Sequence, residues 1–318
     1  MNSTTNKFKI IQMLNKVKYV NNRCISNIIF KRGKKTKIFD KKRKTIQKSQ
    51  SALRPDSKKF DFLKDDIASV LMERLDDIKE EDYKICLDLG SDYSLCTKHF
   101  QQFGVERLYH VHSSKEVLER DMKDDENLNV KPIRIVSDEE NLPFNDDTFD
   151  LVVSNLSIHW SNDILSVFNE AKRVLKPNGI FITSIFGNST LLELRESFLL
   201  AEKEREGGVS PHISPFGAVS DYGNLLQAAG FALPTIDSES FKIPYKDPFI
   251  LMHELQGMGE NNAQVLRRKY VKRETMFATS ALYQRLFGQE NGTIPATFEI
   301  IYLIGWKPHS SQPKPLKR

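Results

Sequence analysis

KICLDLGSDYSLCTKHFQQFGVERLYHVH, Lys84 to His112, decides the fold. Lys84 to Leu89 is a short apolar run that ends in Asp-Leu-Gly, Leu95 to Phe103 carries helical spacing, and Arg107 to His112 is a second short apolar run. Two parallel strands need a crossover of about a dozen residues, and this segment supplies one. The alternation continues outward. Strands are predicted at Ile133 to Val136, Phe149 to Leu156 and Ile180 to Ile185, separated by helices at Glu116 to Met122 and Asp163 to Leu175, with Pro177, Asn178 and Gly179 ending the latter. Five strands in this order imply an α/β, doubly wound sheet with its ligand beyond the carboxyl ends of the strands, near Gly90 and His112.

On the amino-terminal side, Phe60, Leu63, Ile67, Val70, Leu71 and Ile78 form one stripe of a helix from about Asp56 to Lys79, which opens the folded part. On the other side, helices follow at about Ser189 to Glu206, Ser220 to Ala229 and Val271 to Phe287. Thr297 to Trp306 alternates as a last strand. The expected organisation is a basic, disordered arm over 1–50, a domain over 56–306 divided into a cofactor half (about 84–187) and a client-specific half (about 188–306) with an appended helical insertion, and a disordered tail over 307–318.

Charge is unevenly distributed. The first 50 residues hold fifteen of the 47 Lys and Arg residues but one of the 42 acids, Asp40, so the net +5 hides a strongly basic arm on an acidic body. Such a body is a poor nucleic-acid surface, and no nucleic-acid partner is expected of it. Within the arm, Ile10, Met13, Leu14 and Val17 share a helical face among lysines, as a mitochondrial presequence requires. The runs KRGKKTK and KKRK between Lys31 and Lys44 equally suit a nuclear address or an RNA-contacting arm. No apolar run approaches the roughly 20 residues of a membrane span. Cys24, Cys86 and Cys96 give neither a disulfide framework nor metal spacing, and no metal site is expected.

LDLGSDYS, Leu87 to Ser94, resembles the first motif of the class I S-adenosylmethionine-dependent methyltransferases, in which a strand ends in an acid and a glycine-rich turn lets the backbone approach the cofactor. Asp88 and Gly90 match. Ser91, Asp92, Tyr93 and Ser94 stand where that family keeps further small residues, and His112 stands where it keeps an acid for the ribose hydroxyls. SDEENLPFNDDTFDLVVSNLSIHW, Ser137 to Trp160, resembles the family's adenine-side loop and fourth strand, with Asp138 placed for the adenine amino group and Asn155 at the strand's end. The cofactor residues implied are Asp88, Gly90, His112, Asp138 and Asn155. The cofactor is S-adenosylmethionine, bound weakly, or one that the residues do not name. His159 and His212 are the candidate catalytic residues; packing is the competing reading of His159, and closure of the sheet edge that of His212.

A long helix running into Gly207-Gly208 and then VSPHISPF, Val209 to Phe216, is the most specific segment of the second half. LAEKEREGGVSPHISPF, AVSDYGNLLQAAGF, LMHELQGMGEN and IPATFEIIYLIGWK resemble the mitochondrial complex I (NADH:ubiquinone oxidoreductase) assembly factors described as arginine hydroxylases, a methyltransferase-like family. This resemblance implies a matrix protein, peripheral to the inner membrane, that hydroxylates an arginine of the iron-sulfur subunit of complex I near the quinone site. Three functions of different class stay open: an arginine-modifying enzyme, an assembly scaffold without catalysis, and a carboxyl or acyl-carrier methyltransferase.

Overall fold

A computed structural model describes residues 37–78, 83–93 and 95–313. Its elements are α1 (Lys41–Ala52), α2 (Phe62–Asp77), β1 (Ile85–Leu89), β2 (Arg107–His112), α3 (Lys115–Glu119), β3 (Ile133–Val136), β4 (Phe149–Asn155), α4 (Ile164–Val174), β5 (Leu175–Phe186), α5 (Leu192–Glu206), α6 (Val219–Ala228), β6 (Ala232–Tyr245), α7 (Pro248–Gly257), α8 (Arg273–Phe287) and β7 (Ile294–Trp306). The sheet order is β3-β2-β1-β4-β5-β7-β6. The first five strands are parallel, and β7 runs antiparallel between β5 and β6. The segment Thr97–Phe103 is a 3₁₀ turn rather than a full α-helix.

Alternation of side chains distributes the core between the two faces of the sheet. Leu151 and Val153 of β4 with Phe298, Ile300 and Tyr302 of β7 face α2, α5 and α8, whereas Val152, Ile301 and Leu303 face α4 and α6. Capping fixes where helices begin: Asp163 accepts from Ser166 N at 3.1 Å at the start of α4, and Asp247 accepts from Phe249 N and Ile250 N before α7. Register then sets the site. Leu89 pairs with Val111 and Asp88 with Val153, so Gly90, His112 and Asn155 end side by side at the carboxyl edge.

The largest departures from the sequence reading are at the two ends and in the second half. The basic arm does not extend to residue 50: Asp40 caps α1 through Arg43 N, and Lys44, Gln47, Lys48 and Ser51 are buried against the domain. The presequence reading of residues 1–36 lies outside the described residues. The tail over 307–313 is docked, with Lys307 Nζ on Asp147 Oδ1 at 2.7 Å and Leu175 O at 2.7 Å. Finally, β6 and α7 were not foreseen; β6 is a mostly exposed edge strand with Pro234 and Pro244, a composition tolerated only where the ladder has one neighbour.

Candidate active site

Gly90 turns the chain out of β1 at φ +72°, and its N–H donates to Val111 O at 2.7 Å. A Cβ there would fall 2.4 Å from Glu139 Oε1 and from Ser157 Oγ, so both conformation and space require glycine. Glu139 and Ser157 are themselves bonded at 2.8 Å. Asp88, two residues before Gly90, is fully buried, and burial pushes its pKa up to about 7 against the lowering effect of the neighbouring Ser91 hydroxyl.

Over this edge lies α1, held at its start by Asn162, whose Oδ1 accepts from Ile38 N and Phe39 N at 2.8 Å. Its buried face is a stripe of Lys44, Gln47, Lys48 and Ser51 at helical spacing. The lysines enter a buried ionic cluster. Lys48 Nζ donates to Asp92 and to Glu260 Oε1 at 2.6 Å; Lys64 Nζ, from α2, donates to Asp92 and to Met258 O at 2.6 Å, and lies 3.0 Å from Glu260 Oε1. Burial alone would raise Asp92 and Glu260, but Lys48 and Lys64 outweigh it and hold both carboxyls well below the usual range. Lys44 Nζ sits 3.2 Å from the centroid of the Trp160 ring and donates to Gly259 O and Asn261 O. Burial lowers its pKa well below the ordinary lysine value.

His159 stands at the wall of this cluster among Phe186, Phe216 and Trp160, with ring centroids 4.9 to 5.6 Å away. Its Nε2 is 3.6 Å from Glu260 Oε2, and burial lowers its pKa, so the neutral ring is favoured. The Trp160 indole donates to the same carboxylate at 2.7 Å. His212 is placed apart. Its ring stacks on Phe198 at 4.1 Å and its Nε2 meets Glu202 Oε1 at 2.8 Å, while Ser210 donates twice to Glu202 at 2.6 Å. The loop reaches the site through Phe216 instead, and His212 fastens the loop to α5.

The structure therefore brings Asp88, Gly90, His112, Asn155 and His159 to one edge and joins them to Lys44, Lys48, Lys64, Asp92 and Glu260. The lysines and Glu260 escape sequence reasoning because three distant segments carry them; the one local sign is the polar stripe of α1.

The groups expected to hold S-adenosylmethionine are engaged elsewhere and do not fit it as they stand. Asp138 accepts from Lys41 Nζ at 2.8 Å and from Glu140 N at 3.0 Å. His112 Nδ1 accepts from Ser114 N at 2.9 Å, and its Nε2 lies 3.4 Å from Asp92 Oδ1. Asn155 is spent on Ser184 Oγ and Lys64 O, and Glu139 and Ser157 fill the space above Gly90.

Strand order, the Gly90 turn and the acid-bearing loop after β3 define a protein of the class I methyltransferase fold, Rossmann-like with added helices. The family described as "Methyltransferase domain" matches residues 87–183. The YcgJ protein of Bacillus subtilis, 17% identical with a TM-score of 0.51 over 76% of this chain and 100% of its own, shares the fold. Among curated relatives, "Arginine-hydroxylase NDUFAF5, mitochondrial" of Dictyostelium discoideum is 48% identical over 299 residues, 89% of this chain and 69% of the relative. The Mus musculus protein of the same name is 43% identical over 88% of this chain and 80% of its own. A "Malonyl-[acyl-carrier protein] O-methyltransferase" of Halorhodospira halophila is 30% identical over 77% and 81%. The chain belongs to the arginine-hydroxylase NDUFAF5 family.

Proposed function

We propose that this protein is a mitochondrial arginine hydroxylase that acts in complex I assembly, modifying an arginine of the iron-sulfur subunit near the quinone site from the matrix face of the inner membrane. The observation that carries the reading is 41–48% identity, over about 88% of the chain, to proteins named mitochondrial arginine hydroxylases. The site supports it: two buried carboxylates, Asp92 and Glu260, and the face of Trp160 are what a guanidinium binds. No helix among the described residues is long and apolar enough to cross a membrane, so contact with the inner membrane is proposed as peripheral.

Hydroxylation replaces C–H by C–OH, a two-electron oxidation whose oxygen source and electron acceptor must both come from outside this chain's own residues. This chain contributes binding and dryness: Phe186, Phe216 and Trp160 wall the site, and Glu260 fixes the charge. A scaffold without catalysis is the second reading, favoured by the engagement of Asp138, His112 and the Gly90 space, which also counts against the acyl-carrier methyltransferase. Mass spectrometry of the iron-sulfur subunit separates them. Cells lacking the protein should lose the added oxygen on one arginine and regain it with the normal chain; an unmodified subunit in rescued cells that assemble complex I would leave only the scaffold.

A further inference from the structure

The buried face of α1 is the inverse of an ordinary amphipathic helix. Lys44, Gln47, Lys48 and Ser51 point inward with Ala52 as the one apolar member, and Ser51 bonds Tyr93 Oη at 2.9 Å, so polar contacts more than apolar area hold the helix to the body. Each of these contacts exchanges for hydrogen bonds to water when the whole helix lifts and both partners are hydrated together, whereas an apolar face has no such replacement. The helix is thus a strap that is able to leave.

Charge shows what its departure would uncover. With α1 seated, Lys44, Lys48 and Lys64 confront two buried carboxylates, and burial lowers the pKa of Lys44. With α1 lifted, only Lys64 remains against Asp92 and Glu260. The site then lacks one positive charge. The vacancy has a shape as well: Lys44 Nζ leaves the face of Trp160, and Lys48 Nζ leaves Glu260, whose other oxygen is already fixed by the Trp160 indole. A flat cation that stacks on an indole while its edge donates to a carboxylate is a guanidinium; an ammonium satisfies one of the two positions at a time.

We propose that Glu260, Asp92 and Trp160 form the receptacle for the client's arginine side chain, and that Lys44 and Lys48 are internal stand-ins for it on a strap that the client displaces. The inference rests on the arginine-hydroxylase reading for the identity of the client, but the receptacle is testable without the reaction. Acetyl-arginine amide, with acetyl-lysine amide as its counterpart, is titrated calorimetrically into the full chain, Lys48→Ala, Asn162→Ala and each of these two with Glu260→Gln added. Lys48→Ala removes one stand-in. Asn162→Ala loosens the strap at Ile38 and Phe39 without touching the cluster, and guards against a Lys48 variant that fails to fold.

The arginine probe should bind Lys48→Ala and Asn162→Ala at least tenfold more tightly than the unaltered chain, with the lysine probe several-fold weaker, and adding Glu260→Gln to either should remove the gain. Hydrogen exchange within residues 41–52 should accelerate as the probe binds. Equal affinity for the unaltered chain and both variants, or a gain that survives Glu260→Gln, overturns the proposal. The expected binding pattern with no oxygen added to any client arginine sustains the receptacle and sinks the hydroxylase reading. Undiminished hydroxylation in cells carrying Glu260→Gln does the reverse.

Discussion

Replacing Asp92 by glycine restores the small residue that a cofactor-binding turn favours, and the structure predicts that the change damages the fold. Asp92 is 3% exposed and accepts from two lysine ammonium groups, Lys48 and Lys64, neither of which reaches water. At an effective dielectric of about 20, two unit charges about 3 Å apart attract by roughly 5 kcal/mol, so two attractions are lost while the Lys48–Lys64 repulsion stays. The desolvation cost of the carboxylate is recovered, leaving a net loss of about 3–5 kcal/mol, as when one partner of a buried ion pair is removed. Melting should fall by about 6–20 °C at about 2–4 °C per kcal/mol. Urea denaturation of Asp92→Gly and the near-isosteric Asp92→Asn measures the loss; similar losses in both assign it to charge rather than to glycine's freedom. Adding Lys48→Met should return about 1–3 kcal/mol, because Lys64 and Glu260 then balance. A loss under about 1 kcal/mol, or no recovery in the double variant, would refute the argument. For the same reason, Asp92→Gly with His112→Asp should improve S-adenosylmethionine binding only when Lys48 is neutralised too.

Asp88, whose pKa is raised to about 7, binds its proton more tightly folded than unfolded, where about 3.9 applies; its contribution is favourable at low pH and is lost as pH rises from about 4 through 7. Asp88→Asn should therefore be near neutral at pH 4 and stabilising by about 2–4 kcal/mol at pH 8 in denaturant titrations, and a pH-independent difference would show that the carboxyl does not titrate as described. Ser210→Ala with His212→Ala removes two partners of the buried Glu202 carboxylate, for a loss of about 3 kcal/mol in thermal unfolding. Failed complex I assembly with an unchanged melting temperature would instead return the loop to direct client contact.

The parallel half of the fold was legible because its strands are short apolar runs bounded by turn residues: Arg107–His112 and Ile133–Val136 fall where those runs place them, the latter as a half-exposed edge. The edge strand β6 was not, since ALPTIDSESFKIPY has one neighbour, an exposed face and two prolines, which together erase the period-two signal. Helix α1 misled for a physical reason. Runs such as KKRK normally seek water, and only the coincidence of Asp92, Glu260 and Trp160 from three other segments makes burial of Lys44 and Lys48 tolerable.

That coincidence reinterprets the altered glycine turn. On sequence alone, Asp92 is damage to a cofactor site, a side chain and a charge where neither belongs. In the folded chain it is the acceptor that two lysines share, and a glycine there would leave Lys48 and Lys64 with Glu260 as their one carboxylate. Tyr93, the next residue, reaches Ser51 at the far end of the same strap, and His112 leans on Asp92 from β2. Of the residues that depart from the methyltransferase pattern, Asp92 and Tyr93 thus seat α1, with His112 behind Asp92. The turn grips a helix at the place where the methyltransferase pattern grips a nucleoside, so a cation entering this edge of the sheet competes with Lys48 for a carboxylate.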